Sequence, residues 1–249
     1  MRILAIAARA LRANQPLARV LRPIFNRALP KRSIAVTVMS GAGAGIKLVI
    51  DPQREKFYWT GSYEPAVQQV IERMLHPGAV FWDVGAHVGF YSLIGARLVG
   101  PTGFVHAFEP FEPNLLRLRA SAALNRVQNV AVHDIAVSDE VGDVLLYEGE
   151  LSVMATLVRK KSSGPAARVK STTLDALAAR LGVPFLIKID VEGAEDRVLA
   201  GGGALLAQGK VNLVMEFLSD MALEQARHRL SGYQFERLDA TNWLVVPQC

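Results

Sequence analysis

Four apolar runs in this 249-residue chain end on a carboxylate. Residues 80–82 lead to Asp83, 104–108 to Glu109, 185–189 to Asp190 and 211–215 to Glu216. A charge buried within a strand is costly without a partner, so acidic residues placed at strand tips imply a shared edge with work to do. In open α/β sheets that edge, beyond the carboxyl ends of the strands, is where ligands bind. Lys188 and Asp190 stand two residues apart and face the same side of their strand, where each offsets the desolvation of the other. Glu192 follows in the turn, and Glu195 opens the next helix, where its charge suits the helix dipole. A carboxylate in this setting removes a proton from a hydroxyl as a new bond forms to the oxygen. Asp190 or Glu192 is the candidate base, with the other orienting the acceptor. Lys188 either holds the acceptor or pairs with Asp190. The same carboxylates favour a positively charged reacting centre.

The element that positions the first tip is a strand, a glycine-rich turn and a helix. Residues 80–83 form the strand, Gly85-Ala86-His87-Val88-Gly89 the turn, and 90–98 the helix, which is the first βα unit of a nucleotide-binding sheet. Gly85 allows a sharp turn, and Gly89 leaves room for a ligand or for close helix packing. Glu109 lies 26 residues beyond Asp83, at the tip of the second strand, where a carboxylate accepts from both hydroxyls of a ribose. The turn is not a dinucleotide fingerprint, because His87 stands where GxGxxG needs its second glycine, and no P-loop lysine is present. A ligand with a ribose but no phosphates at the turn is expected, and S-adenosylmethionine fits. That donor is already activated, so the protein mainly aligns it with the acceptor. His87 is either a second candidate base or a plain turn residue.

The motifs DVGAHVGFYS, AFEP, TTLDAL and KIDVEGAE, taken together, resemble the FkbM family of S-adenosylmethionine-dependent methyltransferases over residues 63–217. His87 departs from the asparagine more common in that family. The resemblance implies a class I Rossmann-like α/β fold, with a seven-stranded, mostly parallel sheet and helices on both faces. It implies a cofactor site at Asp83, Gly85, Ala86, His87, Gly89, Phe90, Glu109, Pro110 and Asp190, with Ala136 near the adenine and Asp134 either there or capping a turn. Glu64 either favours its helix dipole or lies near the cofactor. The reaction implied is methylation of a hydroxyl on a sugar, glycan or secondary metabolite. Two rival readings are a nicotinamide-dependent oxidoreductase, opposed by the missing GxGxxG, and a non-catalytic nucleoside-binding module.

The rest of the chain supplies support. Residues 34–39 and 46–50 read as a hairpin around Gly41, Gly43 and Gly45. A helix opens at Tyr63-Glu64-Pro65 and runs to residue 75. The second helix spans 113–125, with Leu115, Leu116, Leu118 and Leu124 as its apolar set, and 130–137 is a third strand. Residues 149–169, rich in Lys, Ser and Gly, read as a loop that is either a lid or a solvated insertion. Thr172-Thr173-Leu174-Asp175 has the look of a helix cap. Helix 221–230 and antiparallel strands 235–238 and 243–246 close the fold. Two parts are expected: an N-terminal extension, 1–62, and a catalytic domain, 63–249.

Composition narrows the partners. The net charge of +5 is uneven: residues 1–50 hold nine basic and no acidic residues, while the remainder holds 19 basic against 23 acidic. The basic character therefore belongs to the N-terminus and is not a nucleic-acid signature of the catalytic domain. No apolar run reaches the roughly 18 residues of a membrane span. Residues 1–29 read as a basic helix, packed on the catalytic domain or touching an anionic membrane surface; Arg9 and Arg12 argue against a signal peptide. A cytoplasmic protein is expected, with peripheral membrane contact through residues 1–29 as the alternative to packing on the catalytic domain. The single cysteine, Cys249, excludes a disulfide within the chain. Asp190, Glu192, Glu195 and Glu216 are hard oxygen donors, but no histidine set accompanies them and no metal is expected.

Overall fold

The computed structural model describes residues 29–148, 155–158 and 166–248. The basic segment before residue 29, most of the loop at 149–165 and Cys249 lie outside the described residues. A seven-stranded sheet carries the fold. Its central strands are β3 (Val80–Val84), β4 (Phe104–Phe108), β5 (Val130–His133), β10 (Leu186–Ile189) and β11 (Asn212–Glu216). They pair in parallel in the order β11-β10-β3-β4-β5, and β12 (Tyr233–Arg237) and β13 (Asn242–Pro247) extend the β11 edge antiparallel, as expected. The register sets Asp83 opposite Lys188, and Val84 opposite both Ile189 and Phe108, so the carboxylate tips share one edge.

Strands buried on both faces are apolar along most of their length, and in β3 and β10 only Asp83 and Lys188, at the site end, interrupt the runs. Phe81, Val105, Leu186, Val214 and Leu244 point into one core, while Trp82, Ile187, Leu213, Met215 and Val245 point into the other. Each fully buried large side chain contributes roughly 1.5–3 kcal/mol of apolar transfer. The first core is covered by α2 (Pro65–Met74), by α3 (Phe90–Val99) and by the hairpin β1 (Ile34–Thr37) and β2 (Lys47–Ile50). The second is covered by α5 (Leu174–Leu181), α6 (Glu195–Ala200), α7 (Gly203–Leu206) and α8 (Asp220–Arg229). The α5 cap is Thr173, which accepts from the Ala176 N–H at 3.1 Å. Asp175 serves another helix: its carboxylate accepts from the Ala204 and Leu205 N–H groups at the start of α7.

Four features depart from the sequence reading. A short helix, α1 (Lys56–Thr60), precedes α2 and carries Tyr58 and Trp59. Residues 130–137 are not one strand. The chain leaves the main sheet after His133, turns through exposed Asp134, and resumes as β6 (Ala136–Val137) in a second sheet. That sheet, of order β6-β9-β7-β8, adds β7 (Gly142–Glu148), β8 (Ala155–Thr156) and β9 (Ala166–Thr172), so the described parts of 149–169 are partly strand. In α4 (Glu112–Asn125), Leu115 and Leu118 are buried, but Leu116 is 58% and Leu124 39% exposed. Part of the inner face belongs instead to Ser121, which bonds the β2 backbone of the hairpin.

Candidate active site

The turn after β3 is built by close backbone approach. Gly85 has φ +83°, and a Cβ there would lie 1.8 Å from the Asp190 carbonyl oxygen. Its N–H and that of Ala86 both donate to the Phe108 carbonyl at 3.0 Å, while the Asp190 N–H donates to Val84 O at 3.0 Å. The tips of β3, β4 and β10 are thereby locked together. His87 has φ +52°, uncommon for a residue with a side chain. Its N–H donates to Glu109 Oε2 at 2.8 Å, and the Phe111 N–H donates to Oε1 at 2.9 Å. Burial pushes the Glu109 carboxyl up to about 7, against the pull of the His87 charge, of the two N–H donors and of the Asn114 side chain.

This turn opens into a cleft of about 230 Å³. The β4 and β6 ends contribute Phe108, Glu109, Pro110, Ile135, Ala136 and Val137 to its lining. The β10 turn contributes Asp190, Val191 and Glu192, and the second sheet contributes Leu146, Thr156 and Leu157. Residues ahead of α2 complete it: Arg54, Glu55, Phe57, Tyr58 and Tyr63. Glu192 lies at φ +58°, its carbonyl accepting from the Thr156 hydroxyl at 3.0 Å, which ties the second sheet to the β10 turn.

Lys188 stands behind Asp190. It is 3% exposed, its Nζ lies 2.8 Å from Asp190 Oδ2, and it sits 4.9 Å over the Tyr91 ring. Burial works against its charge, but Asp190, Asp83 and Glu64 together raise its pKa above the ordinary lysine value. Asp83 is fully buried, taking the Ser92 hydroxyl at 2.5 Å, and burial raises its pKa despite Lys188. Glu64 accepts from the Tyr91 hydroxyl at 2.9 Å and is raised by burial, with Lys188 opposing. Glu216 accepts from Thr241 at 3.1 Å; burial, then repulsion from Asp190, Glu64 and Glu192, pushes it up to about 8. Glu195 plays a structural part. Its Oε1 accepts from the Val191 and Gly193 N–H groups at 3.2 and 3.1 Å, closing the β10 turn.

Residues 83–241, well over half the chain and spanning every strand tip described above, match the model of the methyltransferase FkbM domain. The chain belongs to the FkbM methyltransferase family. It is 35% identical over 159 residues to the 31-O-demethyl-FK506 methyltransferase FkbM of Streptomyces tacrolimicus, a match covering 51% of this chain and 60% of that protein. The chain thus spans about 60% of the length of that curated relative. Among solved structures it is similar to a methyltransferase FkbM from Methylobacillus flagellatus, at 15% identity and a TM-score of 0.47 over 76% of this chain and 53% of that one. It is also similar to an S-adenosylmethionine-dependent O-methyltransferase from Thermotoga maritima, at 13% identity and 0.46 over 73% and 63%. Family membership sets aside the oxidoreductase reading.

The FkbM domain brings together in one cleft Gly85, His87, Glu109, Pro110, Ala136, Asp190 and Glu192 of the residues expected from sequence. Others stand apart from the cleft lining. Asp134 is exposed, because the chain turns there between sheets, and its neighbour Ile135 lines the cleft instead. Ala86 is packed against Ala107 and Leu118, and Phe90 lies in the core beside Tyr58. Gly89 serves helix packing rather than a ligand, since a Cβ there would meet Leu118 at 2.4 Å. Asp83, Lys188 and Glu64 form the buried support behind Asp190. Sequence reading missed Glu55, Tyr58, Tyr63, Asn114 and Leu157. The only signal for Tyr58 and Tyr63 was the aromatic clustering at 57–63, which names no role, and nothing local marked Glu55, Asn114 or Leu157. Among the described residues no helix is long and apolar enough to cross a membrane.

Proposed function

We propose that this chain is an S-adenosylmethionine-dependent O-methyltransferase whose acceptor is a hydroxyl of a sugar, glycan or secondary metabolite. The observation that carries this reading is that Glu109 and Asp190 line the same cleft, with Gly85 between them. The fit to the donor rests on the lining. Glu109 keeps lone pairs beyond its two backbone donors, suited to a ribose diol. Phe108, Ile135, Ala136 and Val137 offer an apolar slot for a purine. When bound, S-adenosylmethionine supplies an electrophilic methyl group on a sulfonium. The residues of the chain do the rest. In this reading Asp190, fixed by Lys188, accepts the proton of the acceptor hydroxyl, and Glu192 orients the acceptor. Leu146, Leu157 and Tyr63 keep water from the reacting atoms. Domain limits of 63–249 for the catalytic part, with residues 54–58 lending a wall, belong to the same proposal.

Calorimetry with S-adenosylmethionine and S-adenosylhomocysteine tests the donor site. Heat of binding is expected for the full chain, with at least a tenfold loss in Glu109→Ala. Absence of heat with either ligand sinks the reading. Incubation of a glycan or metabolite pool with enzyme and labelled methyl donor, read by mass spectrometry, identifies the acceptor. Asp190→Asn is expected to lose about 10²–10⁴-fold in turnover while binding donor normally.

A further inference from the structure

His87 is held at three points. Its N–H reaches Glu109, its Nε2 lies 3.1 Å from Glu55 Oε1, and its Nδ1 lies 3.3 Å from the Tyr58 hydroxyl. Glu55 is itself fixed: its Oε2 lies 2.5 Å from Arg117 Nη1 on α4 and accepts from the Asp51 N–H at 2.6 Å. Arg117 in turn donates to Asn114 Oδ1 at 2.6 Å, and Asn114 lines the cleft near Glu109. Glu55 and Arg117 are 5% and 8% exposed, so the pair is buried. A buried charge needs partners: Glu55 Oε2 has Arg117 and the Asp51 N–H, while Oε1 makes no hydrogen bond among the described residues and meets His87 Nε2 as a charge contact. A left-handed residue with a side chain persists only where its surroundings over-determine it, and at His87 those surroundings are Glu55 and Tyr58.

We infer that Glu55, Tyr58 and Arg117 are positioning residues for the donor site, holding His87 in its left-handed conformation so that its N–H stays on the Glu109 carboxylate. The segment ahead of α2 therefore sets the donor turn from outside the residues of the glycine-rich motif. If Glu55 lets go, the His87 backbone relaxes toward ordinary φ, its N–H swings off Oε2, and Glu109 loses one of the two backbone donors that orient it toward a ribose. Arg117 acts at one remove, through Glu55. The same anchoring explains how a histidine occupies a turn position where a glycine would be unstrained.

This inference rests on the donor reading above, and the test separates the two. The probe is S-adenosylhomocysteine, titrated calorimetrically into the full chain. No binding by the parent chain overturns the donor reading itself. Given parental binding, Glu55→Gln is expected to weaken it about tenfold and Tyr58→Phe about threefold, with thermal melting showing that each is folded. The deciding measurement places Glu55→Gln in a His87→Gly background. Glycine adopts positive φ without strain and has no side chain for Glu55 to hold, so the loss caused by Glu55→Gln should there shrink to less than twofold. A loss of the same size in both backgrounds means that Glu55 merely stabilises the fold, and overturns the proposal. Should Glu55→Gln not fold, Tyr58→Phe in the two backgrounds gives the same decision.

Discussion

Replacing Lys188 by methionine removes the cation that the acidic edge is built around. The side chain is 3% exposed, 2.8 Å from Asp190, and within the field of Asp83 and Glu64. Methionine fills most of the volume and keeps contact with Tyr91, so the loss is electrostatic. Removing one partner of a buried ion pair costs about 3–5 kcal/mol; at roughly 2–4 °C per kcal/mol for a chain of this size, melting should fall by about 6–20 °C. The pH dependence carries the sharper test. The Lys188 pKa is raised, so its contribution is complete below the ordinary lysine value and does not vary across neutral pH. Asp83, Glu64 and Glu216 are raised carboxylates, Glu216 to about 8. Between the unfolded and the folded value of such a group the native state holds more protons, so stability declines as pH rises through that window. Without Lys188 the folded values climb further and the window widens. The gap between Lys188→Met and the parent should therefore be larger near pH 8 than near pH 5.5, read by circular dichroism melts at both. Adding Asp190→Asn should recover part of it near pH 8. A Lys188→Met protein melting within about 2 °C of the parent at both pH values, or trailing it equally at both, would refute the reasoning.

Two further outcomes follow from the same edge. Gly85→Ala should cost about 3 kcal/mol or more and abolish S-adenosylhomocysteine binding in calorimetry. The new Cβ combines a left-handed penalty with a 1.8 Å clash against the Asp190 carbonyl, and parental binding in this variant would contradict the lock between the two turns. Glu216→Gln should melt higher than the parent near pH 8.5, because it removes a carboxylate pushed up to about 8 by burial and by Asp190, Glu64 and Glu192; equal melting would show that Thr241 already compensates the charge.

What could be read from sequence was what local grammar encodes. Asp83, Gly85 and Glu109 follow from strand, turn and strand spacing, and the parallel sheet from alternating apolar runs and helical stretches. Asp190 and Lys188 follow from a charge pair inside an apolar run. What could not be read depends on distant partners. Glu55 and Arg117 meet across 62 positions, and nothing near either residue announces the other. Residues 130–137 read as one largely apolar strand, yet they break at Asp134, because the first half pairs with β4 and the second with β9 in another sheet. Leu116 and Leu124 look like core positions by spacing, but Ser121 and Asn125 take the contacts to the hairpin backbone, so polar side chains stand where an apolar stripe was expected.

The missing side chain at Gly85 has one more implication. Because main chain rests on main chain there, the separation between the donor turn and the Asp190 loop is fixed by two adjacent strands and a single absent methyl group, not by any adjustable side chain. Widening that gap would mean moving β3 and β10 apart. If the proposed function holds, the acceptor is selected by the other walls of the cleft, which include Leu146 and Leu157 of the second sheet and the aromatic segment before α2. On that reading the spacing of the two loops belongs to the fold, and the choice of molecule to the walls around them.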